Sequence, residues 1–344
     1  MDKFLHRYDK LGKLIEENAV ILFNRLQQVN ADDLGLPGYC LQYFKSSHSK
    51  RLFFSIETSA HLLYNSITLK GKSPEELIIM DYGAGVGTLY LLAKMIGCKQ
   101  LIYNDHMEDW RLSAELIAKA IHVSIDLYII GDINDCLDHL NSSGIKCDII
   151  VSRNVIEHIY KLDEFYSSIF EKQPLALIYS STTANKINPV SAIKHVLWHK
   201  KWERVYCQKR LAIIRDKAPN LTTDQITRLA KLTQGLAKRE LTHSIEMFLI
   251  TGQLPNPLIY HSNTCDPENG VWAENLLSLT EYRSIIDERK FNVSFVPGFW
   301  DTHYRISWKN KFTGLLNRVI RKSGKSAIWL APFIYVVAQP RVTK

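Results

Sequence analysis

The stretch Leu77-Ile-Ile-Met-Asp-Tyr-Gly-Ala-Gly-Val-Gly-Thr-Leu-Tyr-Leu-Leu-Ala-Lys94 decides the fold of this chain. It places glycines at alternate positions, Gly83, Gly85 and Gly87, between an apolar run and a segment with helical periodicity. Glycine lets the main chain turn tightly and approach a ligand closely, and the first turn of a helix has free N–H groups. The stretch therefore predicts a strand, a ligand-binding turn and a helix.

Short apolar runs and helical patterns alternate from residue 77 to residue 179. Strands are predicted at Leu77–Met80, Gln100–Tyr103, Ile125–Ile130, Cys147–Val151 and Leu175–Tyr179. Helices are predicted between them, at Thr88–Ile96, Trp110–His122, Ile133–Leu140 and Leu162–Lys172. This alternation predicts an α/β protein with a doubly wound parallel sheet, in which ligands bind at the carboxyl ends of the strands.

The composition is typical of a globular protein. The 344 residues are 46% apolar and 23% charged, and the longest apolar stretch, Ala327–Ala338, is too short to cross a bilayer. The first residues lack the charged stub and apolar core of a secretory signal. The six cysteines include no Cys-x-x-Cys pair, which disfavours a zinc site and a disulfide framework. We therefore expect a cytoplasmic protein with reduced thiols.

The net charge of +8 is concentrated in two basic segments. Residues 186–240 contain 13 Lys and Arg against 4 Asp and Glu, and residues 303–344 contain 9 Lys and Arg and no acid. Solvated helix faces are the simpler interpretation of such segments. The alternative is attraction to an anionic substrate or to the inner face of the membrane.

Two familiar nucleotide-binding motifs do not fit the glycine turn. The nicotinamide fingerprint G-x-G-x-x-G would require glycine at position 88, where this chain has Thr88. The P-loop sequence G-x-x-x-x-G-K-[ST] does not occur either. Neither motif therefore identifies the ligand of this turn.

Four segments, in order along the chain, resemble the motifs of class I S-adenosylmethionine-dependent methyltransferases. Asp81-Tyr-Gly-Ala-Gly-Val-Gly87 is similar to motif I, and Ile102-Tyr-Asn-Asp105 supplies the acidic residue at the end of the second strand. Ile129-Ile-Gly-Asp-Ile133 resembles the third motif, and Cys147-Asp-Ile-Ile-Val-Ser-Arg-Asn-Val-Ile-Glu-His-Ile159 resembles the fourth-strand segment in its Glu-His variant. The resemblance implies a mostly parallel, seven-stranded Rossmann-like methyltransferase fold and S-adenosylmethionine as the cofactor.

The resemblance also implies which residues hold the cofactor. Asp105 would accept hydrogen bonds from the ribose hydroxyls, Asp132 would lie near the adenine amino group and Ile133 against the ring, and Asn154 near the methionine end or the acceptor. The cofactor residues predicted in this way are Asp81, Gly83, Ala84, Gly85, Gly87, Asp105, His106, Asp132, Ile133 and Asn154. The simpler interpretations are a structural tight turn for the glycines and helix caps for Asp105 and Asp132.

Methyl transfer to a hydroxyl is helped by a general base with a pKa near neutral, for which histidine is the natural candidate. We predict His158 as this base, with Glu157 beside it, and His195, His199 and His303 as alternatives. Relatives such as the ubiquinone-pathway O-methyltransferases carry Glu-x-x-Glu-His at the fourth motif and can bind a divalent metal there. Asparagine occupies the first of these positions here, so no metal is predicted.

Four regions are predicted along the chain. An N-terminal helical segment (1–70), with helices at Leu5–Leu26 and Phe53–Ile67, would form a lid over cofactor and substrate. The α/β core (71–184) would be followed by an inserted basic helical cap for substrate recognition (185–257). The C-terminal region (258–344) would complete the sheet, with a helix at Thr280–Lys290 and strands at Phe291–Phe299 and Phe333–Ala338.

The cap contains a basic segment with interleaved aromatic residues, His195–Tyr206. It could stack nucleic-acid bases, or form a helix with Trp198, Trp202 and Val205 buried on one face, and we favour the helix. The Asn/Asp-Pro-Pro-Tyr/Phe motif of amino-methylating DNA enzymes is missing after the fourth strand. Nucleic acid is therefore not the expected partner.

A second basic segment, Lys311–Lys322, is amphipathic. Its large apolar residues share one helical face: Phe312, Leu315, Leu316, Val319 and Ile320. Such a helix can lie on an anionic membrane. Packing against the sheet of the same chain is the simpler interpretation.

The layout is similar to that of bacterial methyltransferases of cell-surface polysaccharide and lipid-linked sugar pathways. We therefore predict methyl transfer to a hydroxyl of a small molecule or a lipid-linked glycan. The alternatives are an RNA- or protein-directed methyltransferase that docks through the basic cap, and a non-catalytic scaffold with a methyltransferase fold. The glycine turn and Asp105 disfavour the scaffold, which has no need of a ligand-binding turn.

Overall fold

Helices precede the sheet in the computed structural model, which describes residues 3–159, 161–234, 236, 238–256, 262–263, 267 and 274–341. They are α1 (Lys10–Gln28), α2 (Gly38–Tyr43) and α3 (Leu52–Lys70). Asp9 caps α1, since its side chain accepts a hydrogen bond from Gly12 N at 2.8 Å. A short π-helical turn, Phe44–His48, links α2 to the start of α3.

The α/β alternation predicted from the sequence is confirmed. Its elements are β1 (Ile78–Tyr82), α4 (Thr88–Met95), β2 (Gln100–Asp105), α5 (Glu108–Ala120), β3 (Leu127–Ile130), α6 (Ile133–Ser142), β4 (Ile149–Arg153), α7 (Leu162–Lys172) and β5 (Leu177–Thr182). The second strand runs two residues further than predicted, so Asp105 is its last residue.

The remaining elements extend this core. They are α8 (Pro189–Lys217), α9 (Thr223–Leu232), α10 (Lys238–Thr251), β6 (Ser262–Asn263), β7 (Glu274–Asn275), α11 (Leu279–Ile286), β8 (Phe291–Pro297), α12 (Ser307–Ser323) and β9 (Ile334–Pro340). The predicted boundary at residue 257 lies outside the described residues.

Seven strands form one sheet in the order β3-β2-β1-β4-β5-β9-β8. The first five are parallel, and β9 is antiparallel to both β5 and β8. The resemblance implies a helix and an antiparallel strand pair after the fifth strand, and α11, β8 and β9 confirm this. The mostly parallel, seven-stranded sheet that the resemblance implies is therefore confirmed.

Alternate residues of the strands pack on opposite faces of the sheet. Ile79 and Ile149 contribute to the core beneath α1, α3, α4 and α5. Met80 and Ile150 point the other way, into the core beneath α6, α7 and α11. Both faces are thus covered by helices, as the continuous apolar character of the strands requires.

The predicted cap contains α8, α9 and α10, which share a small apolar core that includes Ile214, Leu229 and Leu241. The helix predicted over His195–Tyr206 is part of α8, but the prediction that Trp198, Trp202 and Val205 are buried is wrong because all three are exposed. The helix instead turns Ser191, His195, His199 and Arg210 inward.

The cysteines of the described residues form no disulfide: Cys40, Cys98, Cys136 and Cys147 are buried, and Cys207 is half-buried. Cys265 lies outside the described residues. Within the described part of the chain, none of the helices combines the length and the apolar character needed to cross a membrane.

Candidate functional site

A cavity of about 490 Å³ lies at the carboxyl ends of the parallel strands, and this volume is in the range of small-molecule sites. Its lining includes the strand-end residues Asp81, Asp105, Arg153 and Ser181, from β1, β2, β4 and β5. Residues between Tyr39 and Thr58, from α2, α3 and the turn between them, line it as well. The sheet and the N-terminal helices therefore build the site together.

The glycine turn forms one wall of the cavity. Gly83 has φ 67° and Gly85 has φ 55°, a region that residues with a side chain rarely adopt. A Cβ at Gly83 would lie 2.6 Å from Cγ2 of Val155, whereas a Cβ at Gly85 would have no atom of the described residues within 4 Å. Packing therefore requires glycine at position 83, while Gly85 presents bare backbone to the cavity.

The strand β2 holds the glycine turn in place. Asp105 Oδ2 accepts a hydrogen bond from Gly85 N at 2.9 Å, and Tyr103 Oη donates one to Gly85 O at 2.6 Å. Ala84 N donates to Asn104 O at 2.9 Å. Consecutive residues of one strand thus fix the turn, and Asp105 keeps its carboxylate at the cavity.

The buried carboxylate of Asp81 anchors the start of α4. Its Oδ2 accepts a hydrogen bond from Tyr90 N at 3.1 Å. Burial raises the pKa of Asp81 to about 7, against the opposing effect of the Arg153 charge and of this hydrogen bond. Asp81 therefore fixes the helix that follows the glycine turn, and it also lines the cavity.

Arg153 joins the sheet to α3 across the cavity. Its Nη1 donates to Ser55 Oγ at 2.7 Å, to Ser55 O at 3.2 Å and to Thr58 Oγ1 at 3.3 Å. Burial lowers the pKa of this guanidinium, which nevertheless stays charged because the unperturbed pKa of arginine is so high. A fixed cation therefore lies at the wall of the cavity.

An aromatic cluster forms the outer wall. The rings of Tyr39 and Tyr43 both meet Trp110 edge-on, with centroids 5.7 and 5.2 Å apart, an arrangement that aromatic pairs prefer. All three residues line the cavity. They offer flat apolar surfaces to a ligand.

Three histidines line the cavity: His48, His106 and His158. Burial, and the neighbouring charge of Arg153, lower the pKa of His48 to about 3, so its imidazole is neutral at pH 7. His106 Nδ1 lies 3.2 Å from Asp105 Oδ1. His158 lies near the end of the fourth-strand segment, in a short 3-10 turn, and its N–H donates to Val155 O at 2.8 Å.

The structure brings most of the predicted cofactor residues to this cavity. Those among its lining are Asp81, Gly83, Ala84, Gly85, Asp105, His106 and Asn154. Asn154 has φ 57°, a left-handed conformation that asparagine tolerates better than most residues. Gly87, with φ 77°, forms the N-cap of α4 behind them.

Asp132, Ile133 and Glu157 lie outside the described lining of the cavity. Asp132 caps α6 by accepting hydrogen bonds from Asn134 N at 2.7 Å and Asp135 N at 3.2 Å, and Ile133 is buried in the core. Buried Glu157 accepts from Thr183 N and Oγ1, both at 3.4 Å. The adenine roles of Asp132 and Ile133 and the catalytic role of Glu157 stay predictions.

The alternative histidines lie elsewhere. His195 Nε2 is 3.1 Å from Thr183 O, and both His195 and His199 are buried on the inner side of α8. His303 lines a second cavity of about 380 Å³, which shares His48, Arg51 and Phe54 with the first. The two cavities are therefore adjacent.

Sequence reasoning missed the side of the site that the N-terminal helices supply. Tyr39, Tyr43, His48 and Arg51 carry no local motif, and only their packing against the sheet brings them to the cavity. Arg153 had a usable signal, because it lies two residues after a predicted strand and directly precedes Asn154. The described residues of the predicted cap contribute nothing to the lining, so its role in substrate recognition stays a prediction.

The comparisons with known proteins gave structural neighbours. One is an S-adenosylmethionine-dependent methyltransferase from Mesorhizobium loti, 14% identical over 81% of this chain and 98% of that chain, with a TM-score of 0.41. Another is a SAM-dependent methyltransferase from Archaeoglobus fulgidus, 15% identical over 89% of this chain and 100% of that chain, with a TM-score of 0.41. No protein-family profile and no curated protein matches the sequence.

Proposed function

We propose that this chain is an S-adenosylmethionine-dependent methyltransferase that methylates a hydroxyl of a small molecule or glycan. The observation that carries the proposal is the joint placement of Gly85 and Asp105 at the cavity. The bare backbone of Gly85 leaves room for a ligand, and the Asp105 carboxylate beside it is an acceptor for hydroxyl groups. A structural turn alone would not need both features at the edge of a cavity.

The residues present fit this cofactor. A Cβ at Gly85 would project into open space at the cavity, and the volume of about 490 Å³ suits a ligand of nucleoside size. Asp105 would accept hydrogen bonds from the ribose hydroxyls, and Tyr39, Tyr43 and Trp110 offer aromatic surface. Asn154 would contact the methionine end or the acceptor.

When bound, S-adenosylmethionine supplies an electrophilic methyl carbon on its sulfonium. The protein must then align the acceptor oxygen with this carbon, exclude water and accept the hydroxyl proton. His158 is the proposed base, because it lines the cavity whereas His195 and His199 are buried on α8. His48, with a pKa near 3, is too weak a base for this step and suits a hydrogen-bonding role instead.

The acceptor side of the cavity is cationic. Arg153 is held there by Ser55 and Thr58, and Arg51 lies at the junction with the second cavity, its guanidinium 5.0 Å from the ring centroid of Phe54. Guanidinium groups bind phosphate and carboxylate well. The two guanidinium groups therefore support an acceptor that carries an anionic group as well as the hydroxyl.

Calorimetric titration with S-adenosylmethionine and with S-adenosylhomocysteine tests the proposal. Micromolar binding of both ligands is expected from the wild-type chain. A folded sample that binds neither ligand at millimolar concentration would contradict the proposal and favour the scaffold. Once binding is established, transfer of labelled methyl groups to phosphorylated glycans, to neutral glycans and to RNA would separate the acceptor classes.

A further inference from the structure

The amphipathic helix α12 turns most of its apolar stripe outward, contrary to the simpler interpretation of the sequence. Its large apolar residues Trp308, Phe312, Leu315 and Val319 are 69%, 55%, 54% and 39% exposed. They are spaced at i, i+4, i+7 and i+11, which places them in one stripe along the helix. The prediction that this apolar face packs on the protein is therefore wrong for Phe312, Leu315 and Val319, whereas Ile320 at the edge of the face is buried.

Polar side chains hold the other side of α12 against the protein. Asn317 Oδ1 accepts from Trp300 N at 2.7 Å, and Asn317 Nδ2 donates to Trp300 O at 2.8 Å. Asn310 makes the same pair of hydrogen bonds with Tyr304 N and O, both at 2.8 Å. Rotating the helix to bury the apolar stripe would break all four bonds, so its outward direction is built into the fold.

Cations border the outward stripe. At 100° per residue, Lys311, Arg318 and Lys322 lie along one edge of it, and all three are exposed. No Asp or Glu occurs from Thr302 to Arg341. Trp329, 55% exposed, follows in a 3-10 turn (Gly324–Trp329) that packs on α12.

We propose that α12 is a docking surface for an anionic lipid bilayer. The stripe of Trp308, Phe312, Leu315 and Val319 enters the boundary between headgroups and acyl chains, with the helix axis parallel to the membrane. Lys311, Arg318 and Lys322 then meet the lipid phosphates, and tryptophan is a side chain that favours this boundary. This surface does not depend on the proposed methyl transfer.

The charges decide between a membrane and a second copy of this chain. Pairing two copies through α12 would bring the same cations together without an acidic group from residues 302–341 to neutralise them, and like charges in contact oppose association. An anionic bilayer supplies the complementary charge. The observations therefore favour lipid as the partner.

Co-sedimentation of the full chain with vesicles tests this inference. Vesicles of phosphatidylcholine mixed with phosphatidylglycerol should pellet the protein at low salt, and added salt should weaken the binding. Vesicles of phosphatidylcholine alone should bind far less. The double variant Phe312→Ser/Leu315→Ser should lower the partition coefficient at least about tenfold, because two large apolar side chains no longer enter the lipid.

A matched control uses an exposed apolar pair elsewhere. Leu249→Ser/Ile250→Ser, on α10, removes side chains that are similarly exposed and should leave vesicle binding unchanged. The inference is overturned if the wild-type chain ignores anionic vesicles, if both double variants behave alike, or if Phe312→Ser/Leu315→Ser dissociates a dimer seen by analytical ultracentrifugation. Titration of the variant with S-adenosylmethionine reports separately on the proposed function.

Discussion

Asp105 Oδ2 accepts a hydrogen bond from Gly85 N at 2.9 Å, although the two residues lie 20 positions apart in the chain. The carboxylate expected to hold the ribose therefore also fixes the backbone against which the ligand would lie. A cofactor site of this kind is preorganised, because the turn does not have to be ordered when the ligand binds.

Replacing Asp105 should weaken binding of S-adenosylmethionine. For Asp105→Ala we expect a loss of about 1 to 3 kcal/mol in binding free energy, since the ribose hydroxyls lose their acceptor and the turn loses its anchor. Asp105→Asn keeps one oxygen that can accept from Gly85 N and should lose less. Calorimetry measures both variants, with Asp32→Ala, an exposed carboxylate beside Lys45, as the control. Equal affinity of wild type and Asp105→Ala would remove Asp105 from the ribose role.

Gly85 should be needed for cofactor binding more than for the stability of the fold. Gly85→Ala places a methyl group in the open space of the cavity, so we expect cofactor binding to be lost while stability falls by only about 1 to 2 kcal/mol for the left-handed backbone. Gly71→Ala is the matched control, because it has φ 72° and open space at its Cβ. It should cost similar stability without affecting binding. Thermal melts and calorimetry on the two variants measure both effects.

Gly83→Ala should destabilise the fold itself. Its Cβ would lie 2.6 Å from Val155 Cγ2, and an overpacked contact of this kind typically costs about 1 to 3 kcal/mol in addition to the backbone strain. Removing the obstacle with Val155→Ala should recover part of the loss in the double variant. Denaturant unfolding of both single variants and of the double variant gives the coupling free energy between the two positions. If the two single changes in the free energy of unfolding simply add up in the double variant, the proposed clash is contradicted.

The hydroxyl of Tyr103 should strengthen cofactor binding indirectly, because it holds the glycine turn from beneath. Tyr103→Phe leaves Gly85 O without the donor that now lies at 2.6 Å, which should weaken cofactor binding and stability by about 1 kcal/mol. Tyr128→Phe, at the ring that packs on Tyr103 with centroids 5.3 Å apart, is the control. If both variants bind equally well, the Tyr103 hydroxyl has no part in shaping the site.

Acid should destabilise the fold through His61. Burial lowers the pKa of His61 to about 3 from an ordinary value of 6.5, so the unfolded state binds the proton first and the free energy of unfolding falls as the pH drops below about 6.5. The wild-type chain should therefore lose roughly 2 kcal/mol in its free energy of unfolding between pH 7 and pH 5 through this histidine. The variant His61→Phe should not show this loss. Urea unfolding at several pH values measures this. Between pH 7 and pH 8 the two curves should run parallel, and parallel curves down to pH 5 would rule out a lowered pKa for His61.

The side of the cavity that the glycine turn forms could be predicted from the sequence because its determinants are local. The glycines directly follow a strand, and Asp105 ends the next strand, so the parallel topology alone brings them to one edge. The side that the N-terminal helices form could not be predicted, since contacts such as that of Arg153 with Ser55 depend on how α3 packs on the sheet. The periodicity of α12 likewise defines an apolar stripe but not its direction, which the hydrogen bonds of Asn310 and Asn317 determine.

The contact between Arg153 and Ser55 joins residues 98 positions apart, and this separation sets an order of assembly. Ribosomes synthesise α3 before any strand of the sheet, so the hydrogen bond between Ser55 and Arg153 can form only after β4 has emerged. The glycine turn needs only β1, β2 and α4, which are complete much earlier. In a nascent chain the residues that hold the glycine turn are therefore all present before those that join Arg153 to α3.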